Sequence, residues 1–143
     1  MKTILKISMI TLLLITSLSC SGDDDEVEIS QESFLSSSWT GTFEGMGSAG
    51  ETVGVVNFTI DESGNIIGEM TFDPGSTLTK LFIESTINNE GTIDGKVDIV
   101  VCGDASSRFN GTVEVSNVTA NGGWFFQDEF SILGSGTWSA TRN

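Results

Sequence analysis

Apolar and polar side chains alternate with a period of two in several short segments of this chain, most regularly between residues 92 and 115. In the first of these two segments one face carries Ile93, Gly95, Val97, Ile99 and Val101, and the other carries Asp94, Lys96 and Asp98. In the second segment Phe109, Gly111, Val113 and Val115 oppose Asn110, Thr112 and Glu114. This alternation is typical of antiparallel strands in a sheet that buries one face and wets the other.

Turn-forming sequences separate such segments along the chain. They are Gly47-Ser48-Ala49-Gly50, Asp61-Glu62-Ser63-Gly64-Asn65, Asp73-Pro74-Gly75-Ser76, Asn88-Asn89-Glu90-Gly91, Gly103-Asp104-Ala105-Ser106 and Asn121-Gly122-Gly123. The segments between them are rich in Val, Ile, Thr and Phe, which predicts consecutive antiparallel strands. We predict eight strands, at residues 39–46, 51–61, 66–72, 78–88, 92–102, 108–115, 123–130 and 135–142.

Eight strands in meander order must curl if they are to bury a shared apolar face. Closure into an up-and-down barrel buries that face and removes the exposed strand edges. The sequence therefore predicts an all-β fold, an eight-stranded antiparallel meander closed as a barrel, in one domain over residues 34–143. A two-sheet β-sandwich is the alternative.

The first and last predicted strands carry Trp39-Thr40-Gly41 and Arg142. In a closed meander these strands pair antiparallel, so Arg142 is expected to stack on Trp39, a cation–π contact worth about 0.5–2 kcal/mol. This pair and the strand count resemble the closure of lipocalin-like (calycin) barrels, although in those barrels Gly precedes the Trp and here Gly41 follows it. The resemblance implies a barrel with a ligand-binding role.

The N-terminal segment has the pattern of a secretory signal peptide. Lys2 and Lys6 form a basic start, and the run Ile7–Leu18 is almost wholly apolar. Small residues then follow, as at a cleavage site. The run is shorter than the roughly 20 apolar residues that a membrane-spanning helix requires. We therefore predict that residues 1–19 are a signal peptide.

The sequence Ser17-Leu18-Ser19-Cys20 resembles a bacterial lipobox, although Ser17 stands where Leu is usual. The residues after it resemble the acidic export tag of surface lipoproteins of the Bacteroidota; they are Ser21, Gly22, Asp23, Asp24, Asp25 and Glu26. These resemblances imply lipidation of Cys20, anchoring in the outer membrane and display on the cell surface, with residues 20–33 as an acidic tether. The alternative is that the acids only keep a tether solvated.

Acidic residues far outnumber basic ones, with 20 Asp and Glu against 6 Lys and Arg, for a formal net charge of −14. Loss of Lys2 and Lys6 with the signal peptide brings the charge to −16. Because phosphates are bound by Lys and Arg, we expect no nucleic-acid partner. If Cys20 is lipidated, Cys102 has no disulfide partner within the chain, and we expect a buried, inert thiol there.

No residues form a recognisable catalytic motif. The chain has no His and no Tyr, and Asp94 and Asp98 lie on a polar strand face beside Lys96, where a solvated surface is the ordinary outcome. We expect no enzymatic activity, no cofactor and no metal ion. The segment Asp61–Asn65 faintly resembles the start of a calcium loop, but it fits a tight hairpin better.

The aromatic residues remain as candidates for recognition. Because side chains alternate along a strand, we expect Trp124 and Phe126 to point inward, while Phe125, like Phe82, points outward. The inward Phe, Ile and Val residues favour a filled barrel. We predict a non-enzymatic binding domain for a small apolar ligand or a glycan, and the alternative is an accessory lipoprotein that docks on an outer-membrane protein partner.

Overall fold

The computed structural model describes residues 34–75, 78–99, 107–114, 118–127 and 131–143. The predicted signal peptide, the tether with Cys20 and residues Ser21–Glu26, and Cys102 all lie outside the described residues. Within the described ranges, no helix is long and apolar enough to span a membrane.

Eight strands follow one another along the chain. They are β1 (Ser37–Gly47), β2 (Gly50–Ile60), β3 (Asn65–Phe72), β4 (Lys80–Ile87), β5 (Thr92–Asp98), β6 (Arg108–Val113), β7 (Thr119–Gln127) and β8 (Ile132–Arg142). Each strand pairs antiparallel with the next, and β8 pairs with β1, so the sheet closes into a barrel. The predicted all-β meander barrel is confirmed, and the two-sheet sandwich is excluded.

We call the end where β1 begins and β8 terminates the lower end, and the opposite end the upper end. Each lower-end connection accepts a hydrogen bond from the last residue of the strand that follows its hairpin. The amide of Ile87 donates to the Gly64 carbonyl at 2.9 Å, and the amide of Val113 donates to the Gly91 carbonyl at 2.8 Å. The amide of Arg142 likewise donates to a carbonyl of the β6–β7 connection. These bonds tie each lower hairpin to the next one around the barrel.

The lower end is closed by Phe34, which precedes β1 and is only 1% exposed. The Ser37 hydroxyl donates to the Phe34 carbonyl oxygen. The same hydroxyl oxygen accepts a hydrogen bond from Trp39 Nε1 at 2.8 Å. Phe34 is therefore held inside the barrel mouth by local hydrogen bonds and by packing against the core.

Two layers of aromatic rings fill the interior. The lower layer contains Trp39, Phe58, Phe109 and Trp138, and its closest pair is Phe109–Trp138, stacked with centroids 4.6 Å apart. The upper layer contains Phe43, Phe72 and Trp124 in edge-to-face contacts, with centroids 4.7 to 5.9 Å apart. Such geometries add to the stabilisation that burial of each ring provides.

The indole N–H groups inside the barrel are hydrogen-bonded. Trp138 Nε1 donates to the carbonyls of Asn110 and Gly123, at 3.1 and 3.2 Å. Trp124 Nε1 donates to the Glu44 carbonyl at 3.4 Å, and Trp39 Nε1 is bonded to Ser37. Buried polar groups are costly when unpaired, and these bonds leave none of the three indole N–H groups in the barrel without an acceptor.

Four inward glycines recur every 27 residues on alternate strands: Gly41, Gly68, Gly95 and Gly122 on β1, β3, β5 and β7. A Cβ atom at each would lie 1.8 to 2.4 Å from a carbonyl oxygen of the preceding strand around the barrel. Only glycine permits this close approach between neighbouring strands. We refer to these four residues as the glycine ring.

The glycine ring accounts for one error in the sequence prediction. The sequence Asn121-Gly122-Gly123 was predicted to form a turn, but it lies inside β7, which begins four residues earlier than expected, at Thr119. Gly122 is required there because it packs directly on the backbone of Asn110 and Gly111. Glycine in this segment therefore marks close packing between strands and not chain reversal.

A second error concerns the upper end of β5. Val97 is buried as predicted, but β5 ends at Asp98, which is itself buried, and Ile99 is 54% exposed. The alternation of buried and exposed side chains stops where β5 ends. The inward face was therefore predicted too long, since it ends at Val97 and does not include Ile99. Val101 and Val115, assigned to inward faces by the same reasoning, lie outside the described residues.

Candidate functional site

The two residues predicted to close the barrel face each other across the β1–β8 ladder, with Trp39 opposite Arg142. Trp39 is buried and its ring stacks on Phe58, with centroids 5.9 Å apart and planes 7° from parallel. Arg142 lies exposed at the lower end of β8. Closure by the first and last strands is confirmed, and the stacking of Arg142 on Trp39 stays a prediction.

The barrel interior is filled by the core residues, and the described concavities open on the outer face. Each member of the glycine ring contributes to the lining of one of them. Gly95 and Gly122 lie in concavities of about 750 Å³ each, and Gly41 and Gly68 lie in smaller ones of about 400 and 310 Å³.

The concavity over β3–β6, at Gly95, is lined by charged and polar side chains; we call it the charged concavity. Its principal side chains are Asn65, Ile67, Glu84, Thr86, Lys96 and Arg108, with Asp94 also in its lining. The ladder places Ile67 opposite Glu84, and Glu84 opposite Lys96. These outward residues therefore form one row across neighbouring strands.

The two bases of the charged concavity differ in their partners. Lys96 Nζ lies 3.4 Å from Glu84 Oε2, and both side chains are more than a third exposed. Such an exposed pair contributes about 0.2–1 kcal/mol at most. Arg108 is exposed and forms no ion pair with any part of the chain that the structure describes.

The second concavity of about 750 Å³, over β7–β8–β1–β2, has a different chemistry. Its lining includes Thr42, Val53, Val55, Thr137 and Ser139, with Glu44 and Asp73 as its charged members. This hollow offers hydroxyl groups and aliphatic surface but no base. The two concavities are similar in volume and differ in charge.

The aromatic residues take the faces predicted for them. Trp124 and Phe126 are buried in the core. Phe125 and Phe82 point outward and are half-buried. Phe125 lies opposite Arg108 in the β6–β7 ladder, on the side of β6 away from Ile67.

The segment considered for calcium forms a hairpin turn. Asp61 Oδ1 accepts hydrogen bonds from the amides of Ser63 and Asn65, at 2.8 and 2.9 Å, and Asp61 Oδ2 accepts one from Asn65 Nδ2 at 2.8 Å. These hydrogen bonds hold the pKa of Asp61 below its ordinary value, and the bond from the Asn65 side chain has the largest effect. The β4–β5 turn repeats the geometry, since Asn88 Oδ1 accepts from the amides of Glu90 and Thr92. The hairpin prediction is confirmed.

Among the described residues, no three His, Cys, Asp or Glu side chains converge as metal ligands would. Asp94 faces Asn110 across the β5–β6 ladder, while Asp98 is buried at the far end of β5. The two carboxylates therefore lie in different surroundings, one exposed and one buried.

No protein-family model matches this chain, and a search of curated proteins finds no significant match.

Proposed function

We propose that the chain is a lipoprotein of the outer membrane, displayed on the cell surface, whose non-enzymatic barrel binds a glycan on its outer face. The observation that carries the proposal is the contrast between the two sides of the sheet. The inner side is filled by aromatic rings with their indole N–H groups bonded. The outer side has an open, charged concavity with an arginine free of ion pairs to the described residues.

The shape and chemistry of the charged concavity favour a glycan over a small apolar ligand. Apolar ligands are bound in enclosed, mainly apolar pockets that bury most of their surface. A sugar instead presents hydroxyl groups that need donors and acceptors, which Asn65, Glu84 and Thr86 supply here, and C–H faces that pack on apolar side chains. Ile67, which is 67% exposed, and Phe125 provide such surfaces at either side.

The position of Phe34 supports an orientation for the anchored domain. Because Phe34 is fixed in the lower mouth, the tether joins the barrel at its lower end. Residues 20–33 reach at most about 50 Å when fully extended. We infer that the lower end faces the membrane, and that the charged concavity, on the side of the barrel, is open to ligands outside the cell.

Binding is tested with the lipidated protein in detergent micelles, titrated calorimetrically with a panel of neutral and acidic oligosaccharides. Thr86→Trp, which fills the charged concavity, is expected to abolish binding. Thr137→Trp is the matched control, because Thr137 is also an exposed strand residue but lines the other large concavity. If binding were lost in Thr137→Trp and kept in Thr86→Trp, the ligand would lie in the other large concavity and the assignment to the charged concavity would be refuted. Absence of binding to any glycan would refute the proposal as a whole.

Anchoring and display are tested separately. Intact-mass analysis of the membrane-extracted protein is expected to give a chain that begins at a lipidated Cys20, and an unmodified chain from Met1 would contradict the anchor. Replacement of Asp23–Glu26 by Ala is expected to abolish protease accessibility on whole cells. Unchanged accessibility would remove the export role of the acidic run.

Docking on an outer-membrane protein remains a second candidate, favoured by exposed aliphatic residues toward the upper end. Met46 and Ile132 are 62% and 60% exposed, and Val53 and Val55 lie on the adjacent β2. Exposed apolar groups that cluster mark protein contacts. A photo-crosslinker placed at Val53 should then join the lipoprotein to one outer-membrane protein in intact cells, and a crosslinker at Thr86 should not.

A further inference from the structure

We propose that the charged concavity binds a carboxylated sugar, such as a hexuronate, and that the Arg108 guanidinium is the group that binds its carboxylate. This inference rests on the proposed glycan function and assigns its ligand class.

The distribution of cations leads to Arg108. After residue 19 the chain has four basic side chains: Lys80, Lys96, Arg108 and Arg142. Lys80 Nζ lies 2.7 Å from Glu69 Oε2, Lys96 is paired with Glu84, and Arg142 lies at the lower end. A basic side chain in so acidic a chain is expected to find a carboxylate. Arg108 has none among the described residues, so its charge is available to a carboxylate from outside.

Arginine suits this ligand by geometry. The guanidinium group is a planar fork that donates two parallel hydrogen bonds to one carboxylate, and such charge-assisted bonds are among the strongest in proteins. A carboxylate presents two oxygens at the spacing of this fork, so one uronate residue can be bound by a lone Arg.

The rest of the row can hold the sugar rings. From Ile67 on β3 to Arg108 on β6 the path crosses three strand spacings, which is about 14 Å along the sheet. The Glu84 and Lys96 side chains lie between these two residues and present an acceptor and a donor to hydroxyl groups. Ile67 at one end and Phe125 beyond Arg108 at the other offer apolar surface. The concavity therefore fits a short acidic oligosaccharide with its carboxylate at the β6 side.

The test uses trigalacturonate and its neutral methyl ester, which share a sugar backbone and differ in charge. Both are titrated into the lipidated full-length mature protein in detergent, together with neutral maltotriose, cellotriose and xylotriose. We expect trigalacturonate to bind about 10- to 100-fold more tightly than its ester, as expected for loss of a charge-assisted hydrogen bond. The preference is expected to weaken as salt is raised, because both partners are solvent-exposed.

Arg108→Gln is expected to abolish this preference and Arg108→Lys to restore part of it. Lys80→Gln removes the same charge from the upper end of β4, where Lys80 does not line the concavity, and it is expected to keep the preference. Arg108 points to solvent, so far-UV circular dichroism should show all variants folded.

Equal affinity for the acid and the ester would overturn this inference and leave the glycan function standing. Binding of a neutral trisaccharide without binding of trigalacturonate would do the same. A preference that survives in Arg108→Gln would refute the assignment to Arg108. Absence of binding to every saccharide would overturn both the inference and the proposed function.

Discussion

Replacement of Phe34 by Ala should reveal how strongly the segment before β1 is fixed to the barrel. Phe34 is 1% exposed and belongs to the core cluster. Truncation of a buried Phe costs about 3–5 kcal/mol. Phe34 lies at the mouth, where water can enter the space left behind, so the low end of that range, about 3 kcal/mol, is expected. For a domain of this size such a loss lowers the melting temperature by about 10 °C or more.

The assay is guanidinium-induced unfolding followed by tryptophan fluorescence, since the three indoles are buried. Phe125→Ala is the matched control, because Phe125 is a half-buried residue of the same type on the outer face. It is expected to cost about 1 kcal/mol from the smaller area removed from burial. If Phe34→Ala cost no more than Phe125→Ala, the lower end would not be closed by Phe34, and the inferred orientation of the tether would fail with it.

Three further predictions concern the sheet and its turns. Gly122→Ala puts a Cβ 1.8 Å from a carbonyl oxygen of β6, and thermal unfolding should show the barrel destabilised by about 1–3 kcal/mol or more. Gly47→Ala is the control and should be nearly neutral, because the nearest atom to its Cβ is 3.5 Å away. Equal effects of the two substitutions would contradict the close approach at Gly122. The lowered pKa of Asp61 means that its ionised form stabilises the fold above the ordinary value of 3.8 and that this stabilisation is lost as the pH falls through the folded value. Asp61→Asn should therefore show a smaller fall in melting temperature than the wild type between about pH 5 and pH 2, and parallel pH profiles would argue against the turn's carboxylate bonds. In a double-mutant cycle of Arg142→Ala with Trp39→Phe, the cation–π contact predicts a coupling of about 0.5–2 kcal/mol, and a coupling near zero would refute it.

The barrel could be predicted from the sequence because period-two alternation and turn chemistry are local signals. The segments Asp61–Asn65 and Asn88–Gly91 have the Asp or Asn and the glycine that a tight turn demands, and both are turns, with Gly64 and Gly91 at positive φ. The prediction failed at Asn121–Gly123, where glycine serves close packing between strands. The two uses of glycine cannot be separated by local sequence, since one concerns a backbone angle and the other a neighbour distant in the chain.

The charged concavity could not be predicted for the same physical reason. Its row depends on the register that places Glu84 opposite Lys96 and Ile67 opposite Glu84, and a shift of one residue would turn these side chains to the other face. Gly95, which lines the hollow, also packs against the backbone of β4, a neighbour that the local sequence does not reveal. One signal was present in the sequence, the 27-residue spacing of Gly41, Gly68, Gly95 and Gly122, but its meaning requires the strand pairing.

We propose that ligand binding takes place on the outer face of a barrel whose interior is filled. The most direct measurement is a ¹H–¹⁵N NMR titration of the mature protein with trigalacturonate and the neutral trisaccharides. We expect the backbone amide resonances of Thr86, Lys96 and Arg108 to shift. The Nε1–H resonances of the three buried indoles, Trp39, Trp124 and Trp138, are expected to stay in place. Shifts of the indole resonances, with the β4–β6 amides unchanged, would put the ligand inside the barrel and contradict the account.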